Sequence, residues 1–136
     1  MRTKVLIIAV VKKDNQILMC KKPEESAPYK ETWYLFGAEL TPDKAPEKAL
    51  RDLVKTQSGI DTELGEQFSW DTEVKKDLDG IEKHFVYLDV ICNYVSGEPT
   101  AAPGIEKIEW VLIQNLGDYD LVPPSVEVFK KLGYLK

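Results

Sequence analysis

The sequence predicts an α+β fold in which a mixed β-sheet is flanked by helices. Strand-like segments rich in β-branched and aromatic residues outnumber the segments with helical periodicity, and their order along the chain is β-β-β-α-β-β-β-α. A fully parallel sheet needs a crossover between neighbouring strands, and this order provides too few helices for that. The pattern therefore indicates both parallel and antiparallel strand pairs.

The composition fits one compact domain covering residues 1–136. Of the 136 residues, 43% are apolar and 30% are charged, and a domain of this size buries enough surface to be stable without disulfides or a structural metal. Lys and Arg number 18 and Asp and Glu 23, which gives a net charge of −5. A negative field repels polyanions, so nucleic-acid binding is not expected, whereas a small phosphorylated ligand remains compatible.

Three strands are predicted before the first helix. Residues 5–11 form a continuous apolar run, and residues 16–20 resume it after a turn-forming Asp-Asn pair, so the two segments should form a hairpin. Residues 22–30 combine prolines with charges and predict an exposed loop. Residues 33–36 are a short aromatic strand, which Gly37 ends.

The first predicted helix starts at Pro46, a residue that suits the first helical turn. Apolar and charged residues then fall on opposite faces at helical spacing: Ala49, Leu50, Leu53 and Val54 against Glu47, Lys48, Arg51, Asp52 and Lys55. Gly59 stands where a helix commonly ends in a left-handed cap, and Ile60 would follow as its hydrophobic contact.

The rest of the chain is mostly β. Residues 68–74 and 84–94 have strand character on either side of a charged turn at residues 75–80, and residues 108–113 form a further strand. A pair of prolines then introduces a closing helix over residues 125–132.

Two features bear on the cellular compartment. Cys20 and Cys92 each lie in an apolar strand-like run, which predicts buried, reduced thiols rather than a disulfide or a metal site. The first apolar run is far shorter than the roughly 20 residues that cross a bilayer, and no small-residue cleavage site follows it. We expect a cytoplasmic protein with no membrane partner, and a homodimer is compatible with the sequence.

The order of motifs resembles that of the Nudix family, hydrolases of nucleoside diphosphates linked to another group. Residues 33–38 read Trp-Tyr-Leu-Phe-Gly-Ala and are followed by an acidic loop, the helix and Ser-Gly-Ile at residues 58–60. Residues 16–22, 106–111 and 121–124 are similar to flanking strands and turns of the family. The resemblance covers nearly the whole chain and implies a Nudix-like α/β/α sandwich.

The family's defining box is a glycine, five residues, Glu, seven residues, Arg-Glu-apolar, one residue, Glu-Glu, one residue and Gly-apolar. In the family, the carboxylates of this box bind Mg²⁺ or Mn²⁺ ions that polarise a diphosphate and activate water. In a first register Gly37 is the first glycine, Asp43 takes the loop Glu position, and residues 51–53 read Arg-Asp-Leu, but Gly59 comes one residue late.

A second register is anchored on Pro46 and Gly59 and needs no insertion. In this register, residues of another type stand at four box positions: Ala38 for glycine, Lys44 for the loop Glu, Asp52 for Arg and Leu53 for the following Glu. The Glu-Glu pair becomes Lys55-Thr56 in the first register and Thr56-Gln57 in the second, so the pair is missing in both. Because ligand charge largely sets affinity for hard cations, we expect weak Mg²⁺ or Mn²⁺ binding and weak or lost catalysis.

Three function hypotheses remain open. The first is a Nudix-fold protein that retains binding of a nucleotide or another phosphorylated small molecule, with Lys22, Trp33, Gly37, Arg51 and Tyr87 as candidate binding residues. The second is an active metal-dependent hydrolase with a rebuilt site, in which Asp43, Asp52 and Glu106 bind the metal and Asp52 and Glu106 act in catalysis. The third is a non-enzymatic interaction scaffold that uses the same fold.

Overall fold

The computed structural model describes residues 1–24 and 29–136, and the long first strand lies at the centre of its sheet. The elements are β1 (Thr3–Lys13), β2 (Gln16–Lys21), β3 (Trp33–Tyr34), β4 (Phe36–Glu39), α1 (Pro46–Ser58), β5 (Asp61–Lys76), β6 (Glu82–Ser96), β7 (Lys107–Leu112), a 3₁₀ helix (Ile113–Asp118) and α2 (Pro123–Lys131). The predicted order of strands and helices is confirmed in outline.

The sheet is mixed, as predicted. Its main path is β3-β2-β1-β6-β5, with β4 also joined to β1 and β7 to β2. Strand β1 is parallel to β6 and antiparallel to β2 and β4. The pairing of β1 with β2 is confined to the hairpin end, where Lys12 faces Ile17 and Lys13 faces Gln16. Beyond that point the two strands separate, and β4 takes the vacated edge of β1.

Each helix covers its own hydrophobic cluster. Leu50, Leu53 and Val54 of α1 are buried against a cluster that includes Ile7 and Val11 of β1, which confirms the predicted apolar face of the helix. A second cluster, which includes Val10, Met19, Leu116, Val128 and Phe129, packs beneath α2. Because successive side chains of a strand point to opposite faces, the sheet is flanked by a helix on each side.

The main corrections concern strand lengths. Strand β5 begins at Asp61, directly after α1, rather than at residue 68, and it continues to Lys76 through several register shifts. Most polar residues in the first half of β5 are exposed at the edge of the sheet, although Thr62 is buried. The predicted turn at 75–80 therefore starts too early. The aromatic strand at 33–36 is divided between β3 and β4, and the predicted loop at 22–30 lies partly outside the described residues.

The thiols and the helices agree with the remaining structural expectations. Cys20 and Cys92 are buried and free, and burial raises the pKa of Cys20 to about 11 and that of Cys92 to about 12. Such thiols stay protonated and unreactive at neutral pH. No helix among the described residues is long and apolar enough to span a membrane.

Candidate functional site

A cleft of about 240 Å³ lies on the sheet face opposite α1. Strand β1 contributes Lys4, Leu6 and Ile8 to this cleft, whereas the alternate residues Ile7 and Ala9 point into the cluster under α1. Strand β4 and the first residues of α2 complete the walls. The cleft and the helix that resembles the Nudix box are therefore on opposite sides of β1.

One part of the cleft wall combines lysines with aromatic rings: Lys4, Lys22 and Lys75 with Tyr29, Tyr34, Phe85 and Tyr87. The Lys22 ammonium is 4.3 Å from the centre of the Tyr34 ring. The Lys75 ammonium is 4.2 Å from the ring of Tyr29 and 4.7 Å from that of Phe85. Cations over ring faces and exposed aromatic edges are the groups that meet phosphates and flat heterocycles.

A hydrogen-bond network fixes Lys75 at one end of the cleft. The Glu73 carboxylate accepts hydrogen bonds from the hydroxyls of Tyr29 at 3.0 Å and Tyr87 at 2.8 Å. Lys75 donates to both hydroxyls and lies 3.5 Å from the same carboxylate. Burial raises the pKa of both tyrosine hydroxyls and lowers the pKa of Lys75. The charge of Lys75 is thus already matched by Glu73.

Asp77 forms an ion pair with Lys4, as Glu73 does with Lys75. The Asp77 carboxylate accepts from Lys4 at 2.9 Å and from the buried Lys83 at 2.8 Å. These hydrogen bonds hold the pKa of Asp77 well below its usual range. By contrast, Lys22 has no carboxylate within ion-pair distance among residues 1–24 and 29–136. In the described part of the cleft, Lys22 is therefore the lysine whose charge is open to a ligand.

Of the five binding residues predicted from the sequence, Lys22, Gly37 and Tyr87 line the cleft. Tyr87 takes part in the network of Glu73 and Lys75. A Cβ atom on Gly37 would lie 2.8 Å from the end of the Ile8 side chain and 3.3 Å from the Ile7 carbonyl oxygen, so a larger residue at this point of β4 would require Ile8 to shift.

The other two predicted binding residues lie elsewhere. Trp33 packs in the core near α2, with its ring edge-on to Tyr119 at 5.0 Å, and it does not line the cleft. Arg51 is on the exposed face of α1, where it is 4.0 Å from Glu47. That pair is the i, i+4 contact of a solvated helix face.

The three carboxylates predicted to bind metal do not form a ligand group. Asp52 receives Lys44 at 2.8 Å and Lys48 at 3.3 Å, and the hydrogen bond from Lys44 lowers its pKa. Asp43 is exposed and accepts from Thr41, while Glu106 is exposed and its backbone N–H donates to Lys21. No three His, Cys, Asp or Glu side chains of the described chain are grouped to hold an ion.

Gln57 shows why α1 does not fit a divalent cation. Its side-chain amide donates to the carbonyl oxygen of Gly37 at 3.2 Å and so joins α1 directly to β4. A carboxylate at this point would face the carbonyl as a second acceptor and would need a cation between them. The amide makes the link without one. The residues present therefore do not fit the metal site of a Nudix box.

Several residues of the cleft were missed in the sequence. Glu73 and Lys75 alternate on β5, but the sequence places the end of the strand before Lys75. Tyr29 was assigned to an exposed loop, yet it is half-buried against Tyr34. Lys4 precedes the first apolar run and gave no signal of its own. One sequence signal could have found two of these residues: if the strand alternation is continued through residues 73–77, Glu73 and Lys75 fall on the same face.

Comparison of the chain with known proteins finds similarity in both sequence and fold. No family model matches it, but the nucleoside triphosphatase NudI of Escherichia fergusonii is 26% identical over 127 residues, which cover 89% of this chain and 90% of that protein. The solved structure of a MutT Nudix hydrolase from Burkholderia pseudomallei has a TM-score of 0.79 at 20% identity, covering 97% of this chain and 99% of that chain. The chain is therefore similar to a Nudix hydrolase in fold and to a nucleoside triphosphatase in sequence.

The Nudix fold also hosts proteins solved with a bound ligand. The Nudix domain of Shewanella oneidensis NrtR, crystallised with ADP ribose, has a TM-score of 0.71 at 11% identity and covers 98% of this chain and 86% of that chain. At this identity the likeness concerns the fold alone. Nudix hydrolases generally use Mg²⁺ or Mn²⁺, and the side chains of α1 in this chain depart from that chemistry.

Proposed function

We propose that this Nudix protein binds a nucleotide or a related phosphorylated small molecule in the cleft, with weak or lost hydrolysis. The observation that carries the proposal is Lys22, a cleft lysine with no carboxylate partner in the described chain, stacked 4.3 Å from Tyr34. An ammonium beside aromatic rings suits a phosphate linked to a flat base. Lys22, Gly37 and Tyr87 are the binding residues of this proposal, and Trp33 and Arg51 remain untested predictions outside the cleft.

The comparisons support the nucleotide class. The relative from Escherichia fergusonii is a nucleoside triphosphatase, and a structural neighbour holds ADP ribose. Both ligands join phosphates to a nucleoside, and we carry that shared chemistry to the present chain as part of the proposal.

The second register of the box is the one we favour. It is supported by Pro46 at the start of α1 and by Gly59, which has a φ of 75° and caps the helix. In this register Gln57 occupies the second position of the Glu-Glu pair, where it bonds to Gly37. We therefore propose that any binding of Mg²⁺ or Mn²⁺ is weak and that ligand binding does not depend on these ions.

Calorimetric titration tests the binding proposal. Nucleoside triphosphates and ADP ribose are titrated into the protein in EDTA and again with Mg²⁺, and we expect binding in both. Lys22→Ala should weaken binding about 10- to 100-fold, since a hydrogen bond to a charged group contributes about 1.5–3 kcal/mol. The matched control is Lys48→Ala, a 64% exposed lysine on the far side of α1. Equal losses in both variants, or no binding at all, would overturn the proposal.

Hydrolysis by a rebuilt site is the second candidate, and the activity of the NudI relative favours it. Asp43, Asp52 and Glu106 would then bind the metal, with Asp52 and Glu106 in catalytic roles. The test incubates the protein and Asp52→Asn with nucleotide derivatives in Mg²⁺ and in Mn²⁺ and follows the products by chromatography. Because Lys44 and Lys48 already match Asp52, we expect little turnover and no effect of the variant. Metal-dependent cleavage that Asp52→Asn abolishes would establish the rebuilt site instead.

Three further expectations stand as predictions: that residues 1–136 act as one domain, that the protein is cytoplasmic, and that nucleic acid is not a partner. A homodimer remains compatible with the sequence. The exposed Trp70 and Val74 on edge strand β5 supply the apolar surface that a dimer or an interaction scaffold would use. Light scattering coupled to size-exclusion chromatography measures the oligomeric state directly.

A further inference from the structure

A second cavity of about 270 Å³ adjoins the cleft and has the opposite charge. Asp71, Glu73 and Asp89 of the sheet line it together with Glu127 of α2. It shares Tyr87, Pro124 and Val128 with the cleft. The two spaces therefore adjoin along the same side of the sheet, one lined by lysines and the other by carboxylates.

Strand pairing explains this change of charge. On β6 the residues facing this side are Phe85, Tyr87 and Asp89 in succession, and β5 places Ser69 opposite Asp89. Phe85 lines the cleft only, Tyr87 lines both spaces, and Asp89 lines the second cavity only. A ligand that follows β6 from the cleft reaches Asp89 after passing the ring of Tyr87.

Asp89 has an unused hydrogen-bond acceptor. It is 1% exposed, and its Oδ2 accepts from the Ser69 hydroxyl at 2.8 Å. Its Oδ1 has no hydrogen-bond partner in the described chain. Burial raises the pKa of this carboxyl group. A buried acceptor without a partner is costly to folding, so its retention at the wall of a cavity points to a group that supplies the missing donor.

The neighbouring carboxylates are partly matched by lysines of the protein itself. Asp71 lies 3.6 Å from Lys131, and Glu73 lies 3.5 Å from Lys75. Among the described residues of the cavity, the buried and unmatched acceptor is thus Oδ1 of Asp89. A metal ion is a poor candidate for it, because no three carboxylates of the described chain are grouped to hold one. The geometry calls instead for an N–H donor from a ligand.

We infer that Asp89 accepts a hydrogen bond from the exocyclic amino group of a nucleobase, so that the preferred ligands are nucleotides of amino-bearing bases. This inference rests on the proposed function, since it takes the phosphate of the same ligand to lie near Lys22. Cytosine and adenine carry such an amino donor, whereas uracil and hypoxanthine present a carbonyl acceptor at the same ring position. An acceptor facing the Asp89 carboxyl oxygen leaves both groups unpaired, so the site discriminates within each pair.

Two matched pairs of nucleotides test the inference with the unmodified protein. CTP is compared with UTP, and ATP with inosine triphosphate, by calorimetric titration in EDTA. We expect the amino-bearing member of at least one pair to bind about 10-fold more tightly, the usual discrimination of one well-placed base contact. Asp89→Asn should reduce or invert this preference, because an amide can donate to a carbonyl oxygen. Glu127→Gln, at the exposed rim of the cavity, is the control and should retain it.

The outcomes separate this inference from the proposed function. If none of the four nucleotides binds, the proposed function fails and the inference fails with it. If all four bind and neither pair is discriminated, the inference is wrong while the proposed function stands. A preference that persists in a folded Asp89→Asn variant, as judged by its thermal unfolding, also overturns the role of Asp89. If Asp89→Asn does not fold, the wild-type ratios still test the preference for amino-bearing bases, and Ser69→Ala, which removes the hydrogen bond to Oδ2 of Asp89 and should alter that preference, replaces it as the test of Asp89.

Discussion

The two faces of the sheet differ in what they bury. Under α1 the face is apolar and sealed by Leu50, Leu53 and Val54. On the opposite face the side chains around Tyr87 are charged or aromatic and border two open spaces. The helix that resembles a catalytic box therefore contributes mainly to the hydrophobic core, whereas the groups suited to ligand chemistry lie across the sheet. Helical periodicity located the helix, family resemblance suggested its catalytic role, and the side chains of the structure located the cleft.

The difference between the two faces is tested most strongly by placing a carboxylate of the box on the buried side of α1. In the favoured register Leu53 stands at a Glu position, and it is 7% exposed. Leu53→Glu should destabilise the protein by about 3 kcal/mol or more, because it removes a core side chain and buries an unpaired charge. Lys55→Glu, at a 55% exposed position of the same helix, is the control and should change stability by less than about 1 kcal/mol. Urea unfolding measures both.

A Leu53→Glu variant as stable as the wild type would contradict the sealed face. That result would mean that this helix position reaches solvent or a cation, and the metal-dependent hypothesis would regain weight.

Most of the fold was predictable because it follows from periodicity. Helix α1 has a clear apolar stripe and a proline and glycine at its ends, so its bounds were found closely. Strand β5 was found only in its second half, because edge exposure replaces inward and outward alternation with polar residues on both faces. The division of the aromatic strand into β3 and β4 depends on which strands they pair with, and a single sequence does not encode that pairing locally.

The site was less predictable, since proximity across the sheet decides it. Lys22 and Gly37 were named from the family resemblance and Tyr87 from its aromatic side chain, and all three line the cleft. Asp89 lies within the predicted strand at residues 84–94, but its contact with Ser69 and its place at the cavity depend on the fold. The predicted roles of Asp43, Asp52 and Glu106 required their carboxylates to lie close together in space. Their spacing along the chain gives little information on that distance.

The ion pair of Glu73 with Lys75 is expected to stabilise the fold and to lower the affinity of the cleft for a nucleotide. Glu73→Gln removes the charge that matches Lys75 and weakens two tyrosine hydrogen bonds. Stability should fall by about 1–3 kcal/mol, the range for hydrogen bonds to a charged group. Nucleotide affinity should rise severalfold, because Lys75 becomes open to phosphate. Glu66→Gln on the exposed part of β5 serves as the control, and unchanged affinity in Glu73→Gln would show that Lys75 does not face the ligand.

A third prediction concerns acid stability on the cleft side. Lys4 and Lys83 depress the pKa of Asp77 in the folded state. A depressed carboxyl pKa stabilises the fold above the unfolded value of about 4, and this contribution is lost as the pH falls toward the folded value. The melting temperature of Asp77→Asn should therefore lie below that of the wild type at pH 6, and the difference should shrink progressively as the pH falls below about 4. A constant difference across that range would remove Asp77 from the acid transition. Asp118→Asn, an exposed carboxyl with no ion pair among the described residues, is the control and should follow the wild type.

The smallest expected effect distinguishes the two registers of the box. Thr56→Glu with Gln57→Glu places a carboxylate opposite the Gly37 carbonyl, where the amide of Gln57 now donates. In EDTA this double variant should lose about 1 kcal/mol, the worth of one hydrogen bond, and Mg²⁺ should restore part of the loss by binding the folded state. Lys55→Glu with Thr56→Glu places its charges on the exposed helix surface near Asp61, so Mg²⁺ should change its melting temperature little. The reverse order of the two responses would favour the register that starts at Gly37. If neither variant responds to Mg²⁺, restoring the carboxylates is not enough to make α1 bind the ion, and the position of the α1 backbone also prevents a metal site. Ligand binding in the cleft is then independent of the box in both registers.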